Sequence, residues 1–179
     1  MGYFDSEWSE YPDVNLIDES DKVVLYTTGG FAPFHAGHHN MMQKAISHFT
    51  SMGKEIVACI VVVDSQDYAN TKPYMISYDE RVKSVPSEYT VCDFERDKSP
   101  INFTYYAFKF QNEYPNCQIV YVCGSDNQNF APLYQDFGTI AIVERNTPLK
   151  SYNGNVITIP NQTHTLVNST QIRKQQHER

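Results

Sequence analysis

Nowhere in this sequence do apolar residues run on for the roughly 20 positions that a membrane-spanning helix needs. None of its four cysteines forms a C-x-x-C pair, and the N-terminus has neither the basic stretch nor the apolar core of a secretory signal. These absences predict a cytoplasmic protein that uses no membrane, with Cys59, Cys92 and Cys123, all in strand-like runs, as reduced core thiols. The sequons at Asn102, Asn161 and Asn168 then have no glycosylation to direct. Basic charge is also scarce, with 14 Lys and Arg against 21 Asp and Glu for a net charge of −7. Seven of the acids (Asp5, Glu7, Glu10, Asp13, Asp18, Glu19 and Asp21) precede Lys22, so the remaining chain is close to neutral. A neutral body without a basic face argues against binding to a nucleic-acid backbone.

No repeat, linker or low-complexity stretch divides the 179 residues, which suffice for one domain with a sizeable core. Residues 1–21 read as an acidic N-terminal extension and residues 22–179 as the domain proper. The extension carries Tyr3, Phe4, Trp8, Tyr11, Leu16 and Ile17, more apolar surface than disordered segments usually hold. It either packs on the body or on a second subunit, which leaves a homo-oligomer open, or remains an acidic tail.

Strand-like and helix-like segments alternate along the chain. Val23–Thr27, Glu55–Asp64, Tyr89–Cys92, Gln118–Cys123, Gly138–Val143 and Val156–Ile159 read as strands. The unbroken apolar run from Ile56 to Val63 suits a strand buried on both faces of a parallel sheet. Helices are predicted from Gly37 onward, after the capping sequence Ser77-Tyr78-Asp79-Glu80, over Phe103–Glu113, around Asn129–Asp136, and at the C-terminal end. The repeated β-α units predict an α/β fold, a parallel sheet sandwiched by helices with right-handed crossovers. Ligands of such sheets bind beyond the carboxyl ends of the strands. Gly29-Gly30 and Gly124-Ser125-Asp126 fall at two of those ends.

The run Thr28-Gly29-Gly30-Phe31-Ala32-Pro33-Phe34-His35-Ala36-Gly37-His38 joins the first strand to the first helix. Free backbone N–H groups at a helix start attract phosphate, and Gly37 allows close approach. His35 and His38 add donors that can be cationic near neutral pH. The pattern reads as a polyphosphate grip, beside two alternatives: solvated histidines, or a metal site built from His35, His38 and His39. Near the other end, Asn168-Ser169-Thr170-Gln171-Ile172-Arg173 places two hydroxyls at a helix start and a guanidinium one turn later. Ser169 or Thr170 caps that helix in the structural alternative; in the functional one they join Arg173 in a second anion site. Two such sites in one domain suit a nucleoside triphosphate.

His35-Ala36-Gly37-His38 and Asn168–Arg173 resemble the two signatures of the HxGH nucleotidyltransferase superfamily, the second being close to the I-S-S-T-x-I-R form of its adenylyltransferases. Val122-Cys123-Gly124-Ser125-Asp126-Asn127 resembles the strand-end G-A-D-N of nicotinate and nicotinamide mononucleotide adenylyltransferases, and Ile140–Arg145 resembles their next strand. Lys72 with Arg81, and Phe103-Thr104, match weaker family signals. The sequence departs from the usual first motif at Thr28, Gly30 and Ala32, which stand for glycine, threonine and aspartate. Tyr134 stands where tryptophan is frequent.

This resemblance, which spans about Lys22 to Lys174, implies a single Rossmann-like domain that moves AMP from ATP to a pyridine mononucleotide. It implies nucleotide contacts at Gly29, Gly30, Phe31, His35, Gly37, His38, Gly124, Asp126, Ser169, Thr170 and Arg173, with His35, His38 and Arg173 catalytic. Phe31, Thr104, Tyr134 and Arg145 are the implied acceptor residues. The bland reading of Asp126 is a helix cap, that of Tyr134 core packing, and that of Lys72 and Arg81 exposed surface charge. No covalent nucleophile with its base is recognisable, which favours direct in-line displacement. Magnesium is expected to bridge the ATP phosphates, held by substrate and water and not by a protein cage. The alternatives are nucleotidyl transfer to another phosphorylated acceptor, such as phosphopantetheine or, from CTP, a small phosphorylated alcohol, and a catalytically silent nucleotide-binding module.

Overall fold

The computed structural model describes residues 12–64, 76–92, 103–130, 138–152 and 154–161. Its elements alternate as expected: β1 (Lys22–Gly29), α1 (Ala36–Ser51), β2 (Glu55–Val63), α2 (Tyr78–Ser84), β3 (Thr90–Cys92), α3 (Phe103–Glu113), β4 (Gln118–Gly124), a 3-10 segment (Ser125–Phe130), β5 (Thr139–Val143) and β6 (Val156–Ile159). All six strands pair in parallel in the order β3-β2-β1-β4-β5-β6.

Side chains alternate across a strand, and β1 feeds two cores at once. Val23 and Leu25 pack with Met41, Met42, Ala45 and Phe49 of α1, with Tyr78 of α2 and with Val85 at its end. Val24 and Tyr26 pack on the other face with Tyr106, Ala107 and Phe110 of α3. Every residue of β4 and β5 is buried, as central strands covered on both faces require. One irregularity interrupts the β1–β2 register, between Val23 and Val24, where Val57 is the extra residue of β2 and stays exposed.

The ends of the helices follow local chemistry. α1 starts at the His35 cap and ends at Met52, followed by Gly53 at φ +81, a conformation that a side chain would strain. Ser77 caps α2 by accepting the Glu80 N–H. The expected helix around Asn129–Asp136 begins differently, because Ser125–Phe130 winds as a 3-10 segment; residues 131–137 lie outside the described residues.

The N-terminal stretch, where described, is fastened to the body. Gln111 accepts the Ile17 N–H, Gln118 donates to the Asp18 carbonyl, and Leu16 packs beside the α3 core. These bonds lie at the amino ends of the strands. The opposite, carboxyl ends are where the chain order reverses between β1 and β4, and a crevice at such a switch point is the ligand position of doubly wound sheets.

Candidate active site

Local sequence builds one half of the site. His35 has extended backbone (φ −135, ψ −179) and its Nδ1 accepts the Gly37 N–H at 3.0 Å. The Nδ1 of His38 accepts the N–H of His35 at 3.1 Å. The two imidazoles therefore form a reciprocal capping box, the role Ser and Glu usually fill. Their rings stack with centroids 3.9 Å apart. Because each Nδ1 accepts, each neutral ring carries its proton on Nε2, which becomes the outward donor.

Both rings are neutral at pH 7. Burial, with the Arg145 charge adding to it, lowers the His35 pKa from 6.5 to about 4. Burial, then His35 and Arg145, lowers that of His38 to about 2. The expectation of cationic histidines is thus corrected: burial beside a fixed cation disfavours a second and third positive charge. The grip offers two neutral N–H donors, and Arg145 supplies the charge.

Distant elements build the other half. Arg145 follows β5, is 7% exposed, and reaches Asp126 with its Nη1 at 3.8 Å. A Cβ on Gly124 would overlap Arg145 Cδ and Asp126 Oδ1, so the arginine crosses the end of β4 where only glycine leaves room. Among the described residues, His35 Nε2 and Arg145 Nε are buried without a hydrogen-bond partner. Two orphaned donors at one switch point mark a place for an anion, because a buried donor left unpaired is costly.

The neighbouring glycine loop is tightly held. Phe31 has φ +48, unusual for a bulky residue, and its ring lies over Gly29 and edge-on to His38, centroids 4.9 Å apart. Gly30 gives its carbonyl to Arg81 Nη1 at 3.0 Å, and Gly37 is buried in the first turn of α1. Arg81 is neither exposed surface charge nor part of the histidine grip. It is fully buried and also donates to the carbonyls of Ile76 and Asp64, tying α2 to the ends of β1 and β2. Its spacing with Tyr78, Val82 and Val85, on the buried stripe of α2, was the signal available in the sequence. Thr28, where the family has glycine, shares a hydrogen bond with Tyr121 OH at 3.1 Å.

His35, His38, Gly124, Asp126 and Arg145 are thus brought to one region, with Gly29 ending β1, Gly30 and Phe31 in the adjoining loop, and Gly37 in the first turn of α1. Thr104 is buried in the first turn of α3. His39 turns away from the pair, with its Nδ1 2.9 Å from Tyr89 OH. Among the described residues, no group of three His, Cys, Asp or Glu side chains is arranged to hold a metal ion. Lys72, Tyr134, Ser169, Thr170 and Arg173 lie outside the described residues. Two supports had not been singled out. Ser125 holds the start of the loop that carries Arg145, and Asn161, leading toward the second motif, donates to Asn40 of α1 at 2.7 Å.

Known structures share this architecture. Plasmodium falciparum nicotinic acid mononucleotide adenylyltransferase complexed with APC aligns with TM-score 0.62 at 14% identity, covering 86% of this chain and 83% of that one. The same enzyme complexed with NaAD gives TM-score 0.63 and 15% identity over the same shares. A Vibrio parahaemolyticus protein designated a nicotinate-nucleotide adenylyltransferase gives 0.56 and 20%, covering 88% of each chain. At these identities the likeness is one of fold. No curated protein sequence matches the chain significantly. The sequence profile described as cytidylyltransferase-like matches residues 26–175, from the middle of β1 to just beyond the second motif. With both ends of the motif set inside that match, the chain belongs to the cytidylyltransferase-like family of nucleotidyltransferases.

Proposed function

We propose that this nucleotidyltransferase moves AMP from ATP to nicotinate or nicotinamide mononucleotide, forming a dinucleotide and pyrophosphate. The observation that carries the reading is the pair of orphaned buried donors, His35 Nε2 at the cap of α1 and Arg145 Nε beyond β5, with the Arg145 charge acting on the His35 ring. The NaAD complex of the fold neighbour from Plasmodium falciparum supports the choice of a pyridine acceptor.

The chemistry asks little of a protein nucleophile. The acceptor phosphate is ionised at neutral pH and attacks the α-phosphorus directly, the P–O bond to pyrophosphate breaks, and no proton need move. Catalysis then consists of alignment and of neutralising charge on the transferring group. His35 and His38 donate from Nε2 to its oxygens, and Arg145 supplies the fixed positive charge beside them. An arriving phosphate favours the protonated rings, so binding draws the histidines back toward the cationic form. Ser169, Thr170 and Arg173 hold the β and γ phosphates and so support the leaving group. Magnesium would come with the nucleotide and would supply further charge neutralisation on the phosphates. Asp126 takes the adenosine ribose, while Phe31, Thr104 and Tyr134 form the acceptor slot. Arg145, expected from the family resemblance to join that slot, is reassigned to the anion site because it pairs with Asp126 and its charge acts on the histidines.

The cytidylyltransferase-like match favours a second reading with the same chemistry, CTP in place of ATP and a small phosphorylated alcohol as acceptor. Purified protein is incubated with ATP or CTP, magnesium and a panel of acceptors, and pyrophosphate release is followed. The expected result is dinucleotide from ATP and one of the two pyridine mononucleotides. Release only with CTP or only with another acceptor replaces the first reading by the second, and no release with any pair removes both.

A further inference from the structure

β4 and β5 stop pairing at Gly124 and Val143, yet Ser125 and Arg145 just beyond them are buried. The sheet offers no partner to the backbone N–H of Arg145 there. The hydroxyl of Ser125, 1% exposed, takes that role: it accepts the Arg145 N–H at 2.8 Å and donates its own proton to the Thr147 carbonyl. A hydroxyl can do both at once because it has one donor and two lone pairs. The two bonds pin the first residues after β5 against the end of β4. Arg145 leaves that anchored backbone and crosses Gly124 to reach Asp126, and its charge acts on both histidines.

The G-A-D-N sequence that this stretch resembles has alanine at this place, which offers no such bond. The rest of the loop has separate fastenings. Gln128 donates to the Pro148 carbonyl and accepts the Lys150 N–H, and Tyr152 OH donates to the Gln128 carbonyl. Removing the Ser125 hydroxyl therefore loosens residues 145–147 and leaves the loop attached. We infer that Ser125 is a positioning residue: by holding the backbone of Arg145 it aims the guanidinium at the anion site beside His35 and His38. This inference deepens the proposed nucleotidyl transfer and rests on that reading for its kinetic consequence.

The test is a double-mutant cycle of wild type, Ser125→Ala, Arg145→Ala and the double variant, with Ser125→Thr as the variant that keeps a hydroxyl. Pyrophosphate release gives kcat for each. Ser125→Ala should lower kcat about tenfold alone and add nothing in the Arg145→Ala background, as residues acting through one contact do. Ser125→Thr should recover most of the loss. A second readout needs no substrate: NMR titration of the His35 ring from about pH 7.5 down past its midpoint at about 4. Its pKa should rise in Ser125→Ala in the same direction as in Arg145→Ala, because the repelling charge has moved, whereas simple loss of stability would leave it in place. An equal kcat loss in both backgrounds, or an unmoved His35 titration, overturns the inference. If wild type releases no pyrophosphate with any substrate pair, nucleotidyl transfer fails as a reading, and the titration still decides on Ser125.

Discussion

The two halves of the site are assembled by opposite routes. His35 and His38 are three positions apart and hold each other through a capping box that any chain with this sequence can form at a helix start. Gly124, Ser125, Asp126 and Arg145 meet only because β4 and β5 pair in a fixed parallel register, Gly124 opposite Val143. The first half is rigid through local hydrogen bonds and neutral through burial; the second brings the charge. Placing neutral donors on one element and the cation on another lets three basic side chains share a crevice without repelling one another at pH 7.

The comparison breaks most sharply at the histidines. His38→Ala, or His35→Asn, which retains a side-chain oxygen able to cap α1, should lower turnover on the order of a hundredfold or more, the usual cost of removing one transition-state donor (about 2.7–4 kcal/mol). Thermal melts run alongside should show His35→Asn close to wild type, since the cap survives. Near wild-type turnover in both variants would mean that the local half does not touch the reacting group.

The long-range half is probed by Gly124→Ala. The added methyl has no space against Arg145 and Asp126, so either the arginine shifts or β4 does. Overpacking of this kind costs roughly 1–3 kcal/mol. Loss of turnover beyond any fall in melting temperature is expected, read from pyrophosphate release. A variant with wild-type turnover would show that Arg145 does not need this path.

Arg173 extends the comparison to the second motif. Arg173→Ala should impair binding of ATP and leave AMP almost unaffected, with lysine restoring only part of the loss because it keeps charge but not the bidentate fork. Calorimetric titration with both nucleotides checks this, and equal losses for ATP and AMP would assign Arg173 to the fold.

The smallest effect concerns pH. The folded-state pKa values of His35 and His38 lie below the unfolded value of 6.5, so the unfolded chain binds protons first as pH falls. Their contribution to stability is constant above pH 6.5 and turns against folding from there down to about 4 for His35 and lower for His38. Denaturation midpoints should fall between pH 7 and 5, and fall less in His38→Gln. A midpoint independent of pH across that window would show that the rings are not held neutral.

Much of this was legible along the chain because period and composition are local signals. The apolar run of β2 and the span of α3 were read with the bounds observed, within a residue, and the His-x-Gly-His turn sat where the first helix begins. Arg81 reads as surface charge along the chain because charge usually means surface; only the packed sheet brings up the carbonyls of Gly30 and Asp64 that, with the nearby Ile76 carbonyl, make a fully buried guanidinium tolerable. The conformation of Ser125–Phe130 was equally hidden, since Ser125 and Gln128 spend their polar groups on a loop about 20 residues away, from Arg145 to Lys150.

Strand and helix order, the family signatures and the capping chemistry of the histidines are properties of neighbouring residues, and the amino-acid order was enough to specify them. The charge state of those histidines, the passage of Arg145 over Gly124 and the grip of Ser125 on its backbone were not. They depend on burial and on groups brought together from strands far apart in the chain, and both the desolvation that lowers a pKa and the room left by a missing Cβ exist only once the sheet has closed around them.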